Sequence, residues 1–330
     1  MKSASQLPSF IPHIITLLYH RIDTSETDSW GICVSVKHFE EQIQFLINNF
    51  NIISSGDLIE KVVTDNISED SICITFDDGY ADNYINAKPI LEKYNCPATF
   101  FISTSFIGSP ISFWWEELEI ILLHSIKLPD KFWLEIDGEN HFYTFDESNL
   151  TEKQLLQHAT WKWYEAPPTD RCEMFLKIWG KLRVLLIEEM ETNMEVLRKW
   201  AGLIIPSKSR LPMNDYQLGE LSKNPLFTIA VHTHTHTHPD LNGKKITFQI
   251  EEMLSCKKIL ETKYGVDSNC LAYPFGKYDY NTIKAVETLG IETCFTTSPS
   301  DVYAYSDKRI LGRYQVFNGS STSLKNRLKI

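Results

Sequence analysis

The chain has 330 residues, of which 43% are hydrophobic and 12% aromatic, so it can bury a large core and has no composition typical of disorder. Its net charge is −11 at pH 7, and no stretch of Lys and Arg is long enough to follow a phosphate backbone, which argues against nucleic acid as a partner. No run of about 18 apolar residues predicts a transmembrane segment.

The cysteines indicate a compartment. Their number, seven, is odd, and several of them, such as Cys73, Cys270 and Cys294, lie in apolar strand-like runs. This pattern predicts buried free thiols in a reducing environment. Residues 1–8 lack the apolar core of a signal peptide. We therefore expect a cytoplasmic location, whereas nothing in the sequence indicates an oligomeric state.

Hydrophobic periodicity predicts alternating strands and helices on both sides of a central stretch. Before that stretch, the pattern predicts a helix marked by Phe39, Ile43, Leu46 and Phe50, a strand at 72–76, a helix marked by Tyr84, Ala87, Leu91 and Tyr94, and a strand at 98–102. After it come a strand at 227–231, a helix marked by Ile246, Ile250, Met253, Leu260 and Tyr264, a strand at 270–273, a helix marked by Ile283, Val286 and Leu289 and ended by Gly290, and a strand at 291–296. Repeated strand–helix units predict an α/β fold with a parallel sheet.

The central stretch, residues 110–225, is interpreted as an insertion, because the rest of the chain has the size of one barrel domain and candidate motifs lie on both sides. Residues 151–204 are expected to be mainly helical, and Asp137-Gly138 predicts a hairpin turn between two strand-like runs. Seven of the eight tryptophans lie in the insertion: Trp114, Trp115, Trp133, Trp161, Trp163, Trp179 and Trp200.

Two adjacent carboxylates, Asp77 and Asp78, follow the strand predicted to end at Phe76. Neighbouring side chains of a regular strand point to opposite faces, so both can serve one site only where the chain leaves the sheet, which Gly79 permits. At the carboxyl end of a barrel strand, such a pair can provide a general base beside a metal ligand. An Asp-Asp-Gly turn without a catalytic role is the alternative.

Four histidines occupy alternate positions directly after the strand predicted at 227–231. They offer two pairs with three residues between the members, His232/His236 and His234/His238, and either spacing lets two rings reach one ion. A carboxylate and two histidines with an open coordination position are typical of a catalytic metal site. A surface tract that binds metal adventitiously is the alternative.

A third motif is the strand end L-A-Y-P-F-G at 271–276, which Pro and Gly interrupt. Together, T-F-D-D-G, the histidine tract and this segment resemble the polysaccharide deacetylase family, with its NodB homology domain (carbohydrate esterase family 4 type), whose T-F-D-D-G, H-[ST]-x-x-H and R-x-P-x-G motifs follow the same order. The resemblance extends to L-L-Y-H-R at 17–21, P-A-T-F-F at 97–101, F-W-W-E-E-L at 113–118 and L-G-R-Y at 311–314. It implies a single domain, 1–330, with a distorted, incompletely closed (β/α) barrel of NodB type and a large, mainly helical insertion.

The resemblance also implies a metal-dependent catalytic site. Asp77 corresponds to the family's general base and Asp78 to its metal-binding carboxylate. For the histidine pair we prefer His234 and His238, because the family motif is followed by Pro-x-Leu and Pro239 fixes the turn after the last ligand. The implied cofactor is one divalent metal ion, with Zn²⁺ as the first candidate.

The general acid is expected to be His20. In family members whose sheet begins with a Tyr-His motif, this histidine resembles the acid that other members supply from their C-terminal segment, and no histidine follows His238 here. The alternative is a core histidine whose ring bonds a backbone carbonyl.

The chain departs from the family pattern at Ala272, where the motif has an arginine that orients the catalytic aspartate. Without a cation, burial and the metal would set the pKa of Asp77. Arg313, in the segment that resembles the end of related sequences, is the candidate replacement; an ordinary surface arginine is the alternative. Further candidates for substrate contact are the segment around Tyr273 and Pro274, with a backbone N–H near Tyr273 for the oxyanion, and the ring pair Trp114 and Trp115.

The expected function is hydrolysis of the N-acyl amide of an amino sugar in a surface polysaccharide, an oligosaccharide or its precursor, with an N-acetylated saccharide as the partner. Two alternatives stay open. The same fold can hydrolyse a non-sugar amide, because the motifs specify only the amide chemistry. An inactive carbohydrate-binding module is also compatible with the missing arginine at Ala272.

Overall fold

The computed structural model describes residues 11–24, 27–136, 138–144, 149–202, 210–236 and 245–330. The strands are β1 (Ile14–Tyr19), β2 (Arg21–Ile22), β3 (Cys33–Val34), β4 (Asn51–Ile53), β5 (Ser71–Phe76), β6 (Ala98–Ile102), β7 (Lys131–Ile136), β8 (Glu139–Thr144), β9 (Phe227–Val231), β10 (Cys270–Ala272), β11 (Thr293–Phe295) and β12 (Tyr314–Gln315). The helices are α1 (Val36–Asn49), α2 (Ser55–Val63), α3 (Lys88–Lys93), α4 (Trp114–Glu119), α5 (Glu152–Thr160), α6 (Asp170–Leu182), α7 (Ile187–Ala201), α8 (Asp215–Lys223), α9 (Ile246–Tyr264), α10 (Tyr280–Thr288) and α11 (Ser321–Leu328).

Eight strands form one parallel sheet in the order β11-β10-β9-β6-β5-β1-β12, with β4 also paired to β5. β4 pairs with the first half of β5 and β6 with the second half, so one edge of β5 is shared between two neighbours. At the open side of the sheet, Phe295 of β11 forms an isolated parallel bridge with Leu311, which precedes β12. The predicted incompletely closed α/β barrel is therefore confirmed.

The central strands are continuous apolar runs because helices cover the parallel sheet. β1 and β5 are buried along their whole length. The predicted strands at 98–102 and 227–231 match β6 and β9 to the residue, and the apolar positions that marked the following helix, from Ile246 to Tyr264, lie in α9. The strand predicted at 291–296 is shorter than expected, because the Ile291 N–H bonds back to the Val286 carbonyl at the end of α10.

The described residues build two large apolar cores and a smaller third one, which includes Phe101 and Phe295. Of the large cores, the first lies between the sheet and the barrel helices, and the second packs α4, α6, α7 and the β7–β8 hairpin within residues 113–197, together with Tyr80. Leu218 and Leu221 place α8 in the barrel core, so the separately packed region ends before residue 225. The extent of the insertion, 110–225, stays a prediction.

The predicted secondary structure of the insertion is confirmed over its described residues. β7 and β8 pair as an antiparallel hairpin in which Gly138 has the left-handed φ of +73°, and Asp137 lies outside the described residues. Residues 151–202 are mainly helical, in α5, α6 and α7.

A buried ion network joins the barrel to the region around α4. Arg21 Nε lies 3.1 Å from Asp82 Oδ2, and its Nη1 lies 3.4 Å from Glu116 Oε2. Arg210 Nη1 lies 3.1 Å from the same Glu116 oxygen and 3.3 Å from Glu119 Oε2. All five side chains are buried. Since a buried charge that loses its partner strongly destabilises a fold, these contacts tie the two cores together.

The seven cysteines are all free and buried, as the sequence predicted. Burial raises the pKa of the Cys73 thiol to about 12, so this group stays protonated near neutral pH. In the part of the chain that the structure describes, no helix has the length and apolar character needed to span a membrane.

Candidate active site

The carboxyl ends of the parallel strands open into a cavity of about 670 Å³. Among the polar residues that line it, four belong to the T-F-D-D-G motif and the histidine tract and one directly follows β1: Asp77, Asp78, His232, His236 and His20. They come from the ends of β1, β5 and β9, which the sheet order brings to one edge. The carboxyl end of the strands is the functional face of such barrels.

Asp77 and Asp78 both reach this cavity because the chain leaves β5 there. Asp78 has a φ of +74° and Gly79 a φ of +91°, so two consecutive residues take the left-handed conformation. A β-carbon at position 79 would also lie 3.2 Å from Ile102 Cδ1. Left-handed non-glycine residues carry backbone strain that is commonly found at functional sites. The predicted exit at Gly79 is confirmed.

Arg313 holds Asp77 with a bidentate ion pair. Its Nη1 and Nη2 each donate to one oxygen of Asp77 at 2.7 Å, and its Nε donates to the Thr296 carbonyl at 2.9 Å. The guanidinium is fully buried, so the surface-arginine alternative is wrong. Burial raises the pKa of Asp77, but the charges of Arg313 and His232 more than offset it and hold that pKa below its usual range.

Asp78, His232 and His236 form a compact group of possible metal ligands. Asp78 Oδ1 lies 3.3 Å from His232 Nε2 and 3.4 Å from His236 Nε2, and the three ligand atoms lie within 4.8 Å of one another. His232 Nδ1 is 2.8 Å from the Ala272 carbonyl, which fixes the ring. The positive φ angles of Thr233 (+66°) and His236 (+47°) coil the chain so that both rings face Asp78.

The sequence favoured His234 and His238 as the metal pair, whereas the structure places His232 and His236 at Asp78, so which pair binds the metal stays a prediction. His234 Nδ1 lies 2.9 Å from the Thr104 hydroxyl and does not join the group. His238 lies outside the described residues. His232 directly follows the last residue of β9, so it already lies at the carboxyl end of the strand, where the cavity opens.

This donor set fits a divalent cation. His232 Nδ1 donates to a carbonyl, so its Nε2, which lies 3.3 Å from Asp78 Oδ1, is the ring atom available to a cation between the two side chains. Burial lowers the pKa of His236 to about 4 although Asp78 raises it, so the ring is in the neutral form that binds metals. Three protein ligands leave a coordination position open, as in catalytic sites.

His20 faces the same cavity. Its buried Nδ1 has no hydrogen-bond partner among the described residues, so the alternative of a core histidine bonded to a carbonyl through this atom is not what the structure shows. Its backbone carbonyl accepts a bond from Asn83 Nδ2 at 2.7 Å, which fixes the chain after β1. Burial lowers the pKa of His20, and the charges of Asp78 and Asp77 oppose that shift.

Aromatic rings form the apolar wall of the cavity, and the sequence identified only part of it. Trp115 lies 5.1 Å from the His236 ring and lines the cavity, whereas Trp114 packs in the second core and does not; sugar contact by either ring stays a prediction. Trp30 and Trp179, with ring centroids 4.5 Å apart, do line it. Trp30 was missed because it lies outside the insertion, and only the fold brings it to Trp179.

The segment after β10 also differs from expectation. The Tyr273 hydroxyl donates to the Arg309 carbonyl at 2.9 Å, and the backbone N–H of Tyr273 donates to the Phe295 carbonyl at 3.0 Å. Neither Tyr273 nor Pro274 is among the described residues that line the cavity, and their role as substrate contacts stays a prediction. Phe275 does line the cavity, with a left-handed φ of +54°.

Comparison with known proteins decides the family. The profile of the family described as polysaccharide deacetylase matches residues 64–130 and 188–294, which is more than half of the chain. This chain belongs to the polysaccharide deacetylase family. Members of this family are hydrolases that act on amide bonds, as the motifs predicted.

Relatives span most of the chain. Over 309 residues it is 23% identical to the "Putative polysaccharide deacetylase YxkH" of Bacillus subtilis (strain 168), covering 93% of this chain and 72% of that protein. A stretch of 77 residues, 23% of this chain and 27% of the relative, is 35% identical to the poly-beta-1,6-N-acetyl-D-glucosamine N-deacetylase of Staphylococcus epidermidis. The deacetylase PplD of Streptococcus pyogenes, solved in complex with acetate, shares the fold with a TM-score of 0.56 and 18% identity over 97% of this chain and 99% of that one.

Proposed function

We propose that this chain is a metal-dependent de-N-acetylase that hydrolyses the N-acyl amide of an amino sugar in a polysaccharide, an oligosaccharide or its precursor. The observation that carries the proposal is the group Asp78, His232 and His236, with Asp77 and His20 in the same cavity. Membership of the deacetylase family supports the reaction, and the activity named for the staphylococcal relative supports an N-acetylated amino sugar.

In the proposed mechanism, Asp78, His232 and His236 would hold a divalent ion, with Zn²⁺ as the first candidate, which would supply Lewis-acid activation. Asp77, kept ionised by Arg313, accepts a proton from the water as its oxygen bonds to the carbonyl carbon. His20 donates a proton to the amide nitrogen as the carbon–nitrogen bond breaks. The products are a free amine on the sugar and acetate.

A backbone donor for the developing oxyanion is also available in this cavity. Tyr273 cannot provide it, because its N–H is bonded to Phe295, and Pro274 has no N–H. The N–H of Phe275 has no acceptor among the described residues, and the residue lines the cavity. We therefore assign this role to Phe275. Loss of such a donor typically raises the barrier by about 2.7–4 kcal/mol.

The main reason for considering an inactive binding module is now weaker. That alternative rested on Ala272 in place of the motif arginine, and Arg313 supplies a guanidinium to Asp77 from another part of the chain. The aromatic wall around Trp30, Trp115 and Trp179 favours a sugar over a non-sugar amide, because flat apolar rings pack against the faces of sugar rings.

The proposal is tested by incubating metal-loaded protein with a panel of N-acetylated oligosaccharides and monosaccharide conjugates and measuring released acetate. We expect release from at least one saccharide, its loss after treatment with a chelator, and recovery when Zn²⁺ is restored. Absence of acetate from every member of the panel would contradict the activity. Undiminished release from metal-free protein would contradict the metal dependence.

His20→Ala is expected to lower the turnover rate by about 10²–10⁴, the usual contribution of a general acid, without loss of bound metal. The measurement is acetate release together with metal analysis. His38→Ala is the matched control, because His38 lies at the start of α1 and its ring contacts Asn318 outside the cavity. A folded His20→Ala protein with wild-type turnover would show that His20 is not the acid.

Arg313→Gln is expected to lower the free energy of unfolding by about 3–5 kcal/mol, because it leaves the buried carboxylate of Asp77 without its cation. Arg309→Gln is the control: its ion pairs with Asp307 and Glu287 are exposed, so a loss below about 1 kcal/mol is expected. Denaturant unfolding measures both, and equal losses would contradict the buried-pair interpretation.

The same substitution has a predictable pH dependence. Removing Arg313 raises the pKa of Asp77, so the acidic limb of the pH–rate profile should move to higher pH. Because the native pair lowers that pKa, its contribution to stability is present above the unfolded value of about 3.9 and is lost as pH falls through the folded value. A profile identical to wild type would argue against the role of Arg313.

A further inference from the structure

Two positively charged side chains line the cavity, and neither has a counterion among the described residues. Arg183, directly after α6, and Lys277, after β10, both line it, and neither side chain has a hydrogen bond or an ion pair with another described residue. Among the described residues, the only carboxylates that line the cavity are Asp77, paired with Arg313, and Asp78, in the proposed metal group. The unpaired charges that the described residues bring to this cavity are therefore positive, in a chain of net charge −11.

The Arg183 side chain packs against a tryptophan ring, but its buried Nε has no hydrogen-bond acceptor among the described residues. Its guanidinium carbon lies 4.9 Å from the centroid of the Trp179 ring, a cation–π contact. Its Nε is buried and has no hydrogen-bond partner among the described residues. A buried N–H donor without an acceptor costs free energy, so a ligand in the cavity that accepts a hydrogen bond from Arg183 Nε would remove that cost.

A row of rings connects Arg183 with the proposed metal group. Trp179, which carries the guanidinium, lies 6.1 Å from the Phe275 ring, and Phe275 lies 5.1 Å from the His236 ring. A sugar with its N-acetyl group near His236 can lie along these rings. Its substituent, or the next sugar, then points towards Arg183.

We infer that Arg183 and Lys277 form an anion subsite, and that the substrate is an N-acetylated saccharide with a phosphate or carboxylate group close to the reacting sugar. This inference rests on the proposed function and deepens it. A guanidinium binds both anions through paired N–H donors, and an ammonium adds a point charge. A neutral saccharide would leave both cations without a charged partner.

The test compares binding of three probes to the Asp77→Asn protein, in which turnover does not interfere, by isothermal titration calorimetry. The probes are neutral N,N′-diacetylchitobiose, the same disaccharide with a phosphate at its reducing end, and a disaccharide of glucuronic acid and N-acetylglucosamine. At least one anionic probe should bind about tenfold more tightly than the neutral one, the change expected for a hydrogen bond to a charged group. The anionic probe that gains affinity identifies phosphate or carboxylate as the source.

Substitutions of Arg183 and Lys277 test whether these two side chains cause the tighter binding of anionic probes. Arg183→Gln with Lys277→Gln should abolish it, and Lys277→Gln alone, a change of an exposed side chain, should reduce it in a folded protein. Lys177→Gln removes the same charge from α6, but Lys177 is exposed and paired with Glu173, so the preference should persist. Equal binding of all three probes, or a preference that survives the double substitution, would overturn the proposal.

Acetate release by the wild-type protein separates this inference from the proposed function. Release of acetate without any preference for anionic probes would refute the subsite and leave the deacetylase function intact. A preference that depends on Arg183 and Lys277, in a protein that releases no acetate from any probe, would support the subsite and contradict the function.

Discussion

His232→Ala and His236→Ala should each remove the bound metal and abolish acetate release, whereas His234→Ala should keep both. The reason is geometric: the first two rings meet Asp78 Oδ1, and the third contacts Thr104. Loss of metal affinity should exceed about 100-fold, because even residues that only support a ligand contribute about 10–100-fold. Metal content by mass spectrometry and acetate release measure the two effects.

His234→Ala is the matched control for this prediction, since it removes an imidazole from the same tract. His238→Ala completes the series and tests the pair that the sequence favoured. If metal is lost from the His234 and His238 variants but retained by the His232 and His236 variants, the assignment made from the geometry is wrong.

Asp77→Asn is expected to abolish measurable turnover, with a loss of at least about 10²–10⁴, while bound metal stays near stoichiometric. An amide cannot accept the proton of the attacking water, but its oxygen can still accept a hydrogen bond from Arg313. Asp77 is not part of the ligand group. Acetate release and metal analysis on one preparation provide the measurement.

Asp78→Asn is the control for Asp77→Asn, because it removes the other carboxylate of the pair. This neighbouring carboxylate belongs to the ligand group, so its loss should reduce metal and turnover together. Wild-type turnover in Asp77→Asn would show that another group is the base. Loss of metal in both variants would show that the two carboxylates do not divide their roles as we propose.

Much of the barrel could be predicted from sequence because its central strands are apolar runs bounded by turn residues. β6 and β9 are predicted to the residue for this reason. The exit of Asp77 and Asp78 follows from the alternation of side chains in a strand and from Gly79. These arguments depend only on local chemistry, which the sequence displays directly.

The histidine register could not be predicted in the same way. The pairs His232/His236 and His234/His238 have identical spacing, so the choice depends on how the chain coils after β9. The path of the chain there depends on the left-handed conformation of Thr233 and His236. Non-glycine residues rarely adopt this conformation, and no sequence pattern predicts it at these two positions. The Pro-x-Leu sequence that favoured the second pair describes the turn after the site and not the site itself.

Long-range contacts were predictable only where related sequences pointed to them. Arg313 lies 236 positions from Asp77, and it could be singled out because the L-G-R-Y segment resembles the end of related sequences. No such signal marks Trp30, which meets Trp179 only in the folded chain. Phe275 lines the cavity and Tyr273 does not, because the left-handed conformation of Phe275 changes the direction of the chain after Tyr273.

The buried ion network limits how the Trp-rich region can be exchanged between proteins. Glu116 lies between Arg21 of the barrel and Arg210, which precedes α8, so a transplanted segment that contains α4 would carry Glu116 into a new host. A recipient barrel without a counterpart of Arg21 would bury that carboxylate with fewer cations. Modular replacement of the cavity wall therefore requires the recipient's charges to be redesigned together with the graft, since the wall and the barrel are not independent parts.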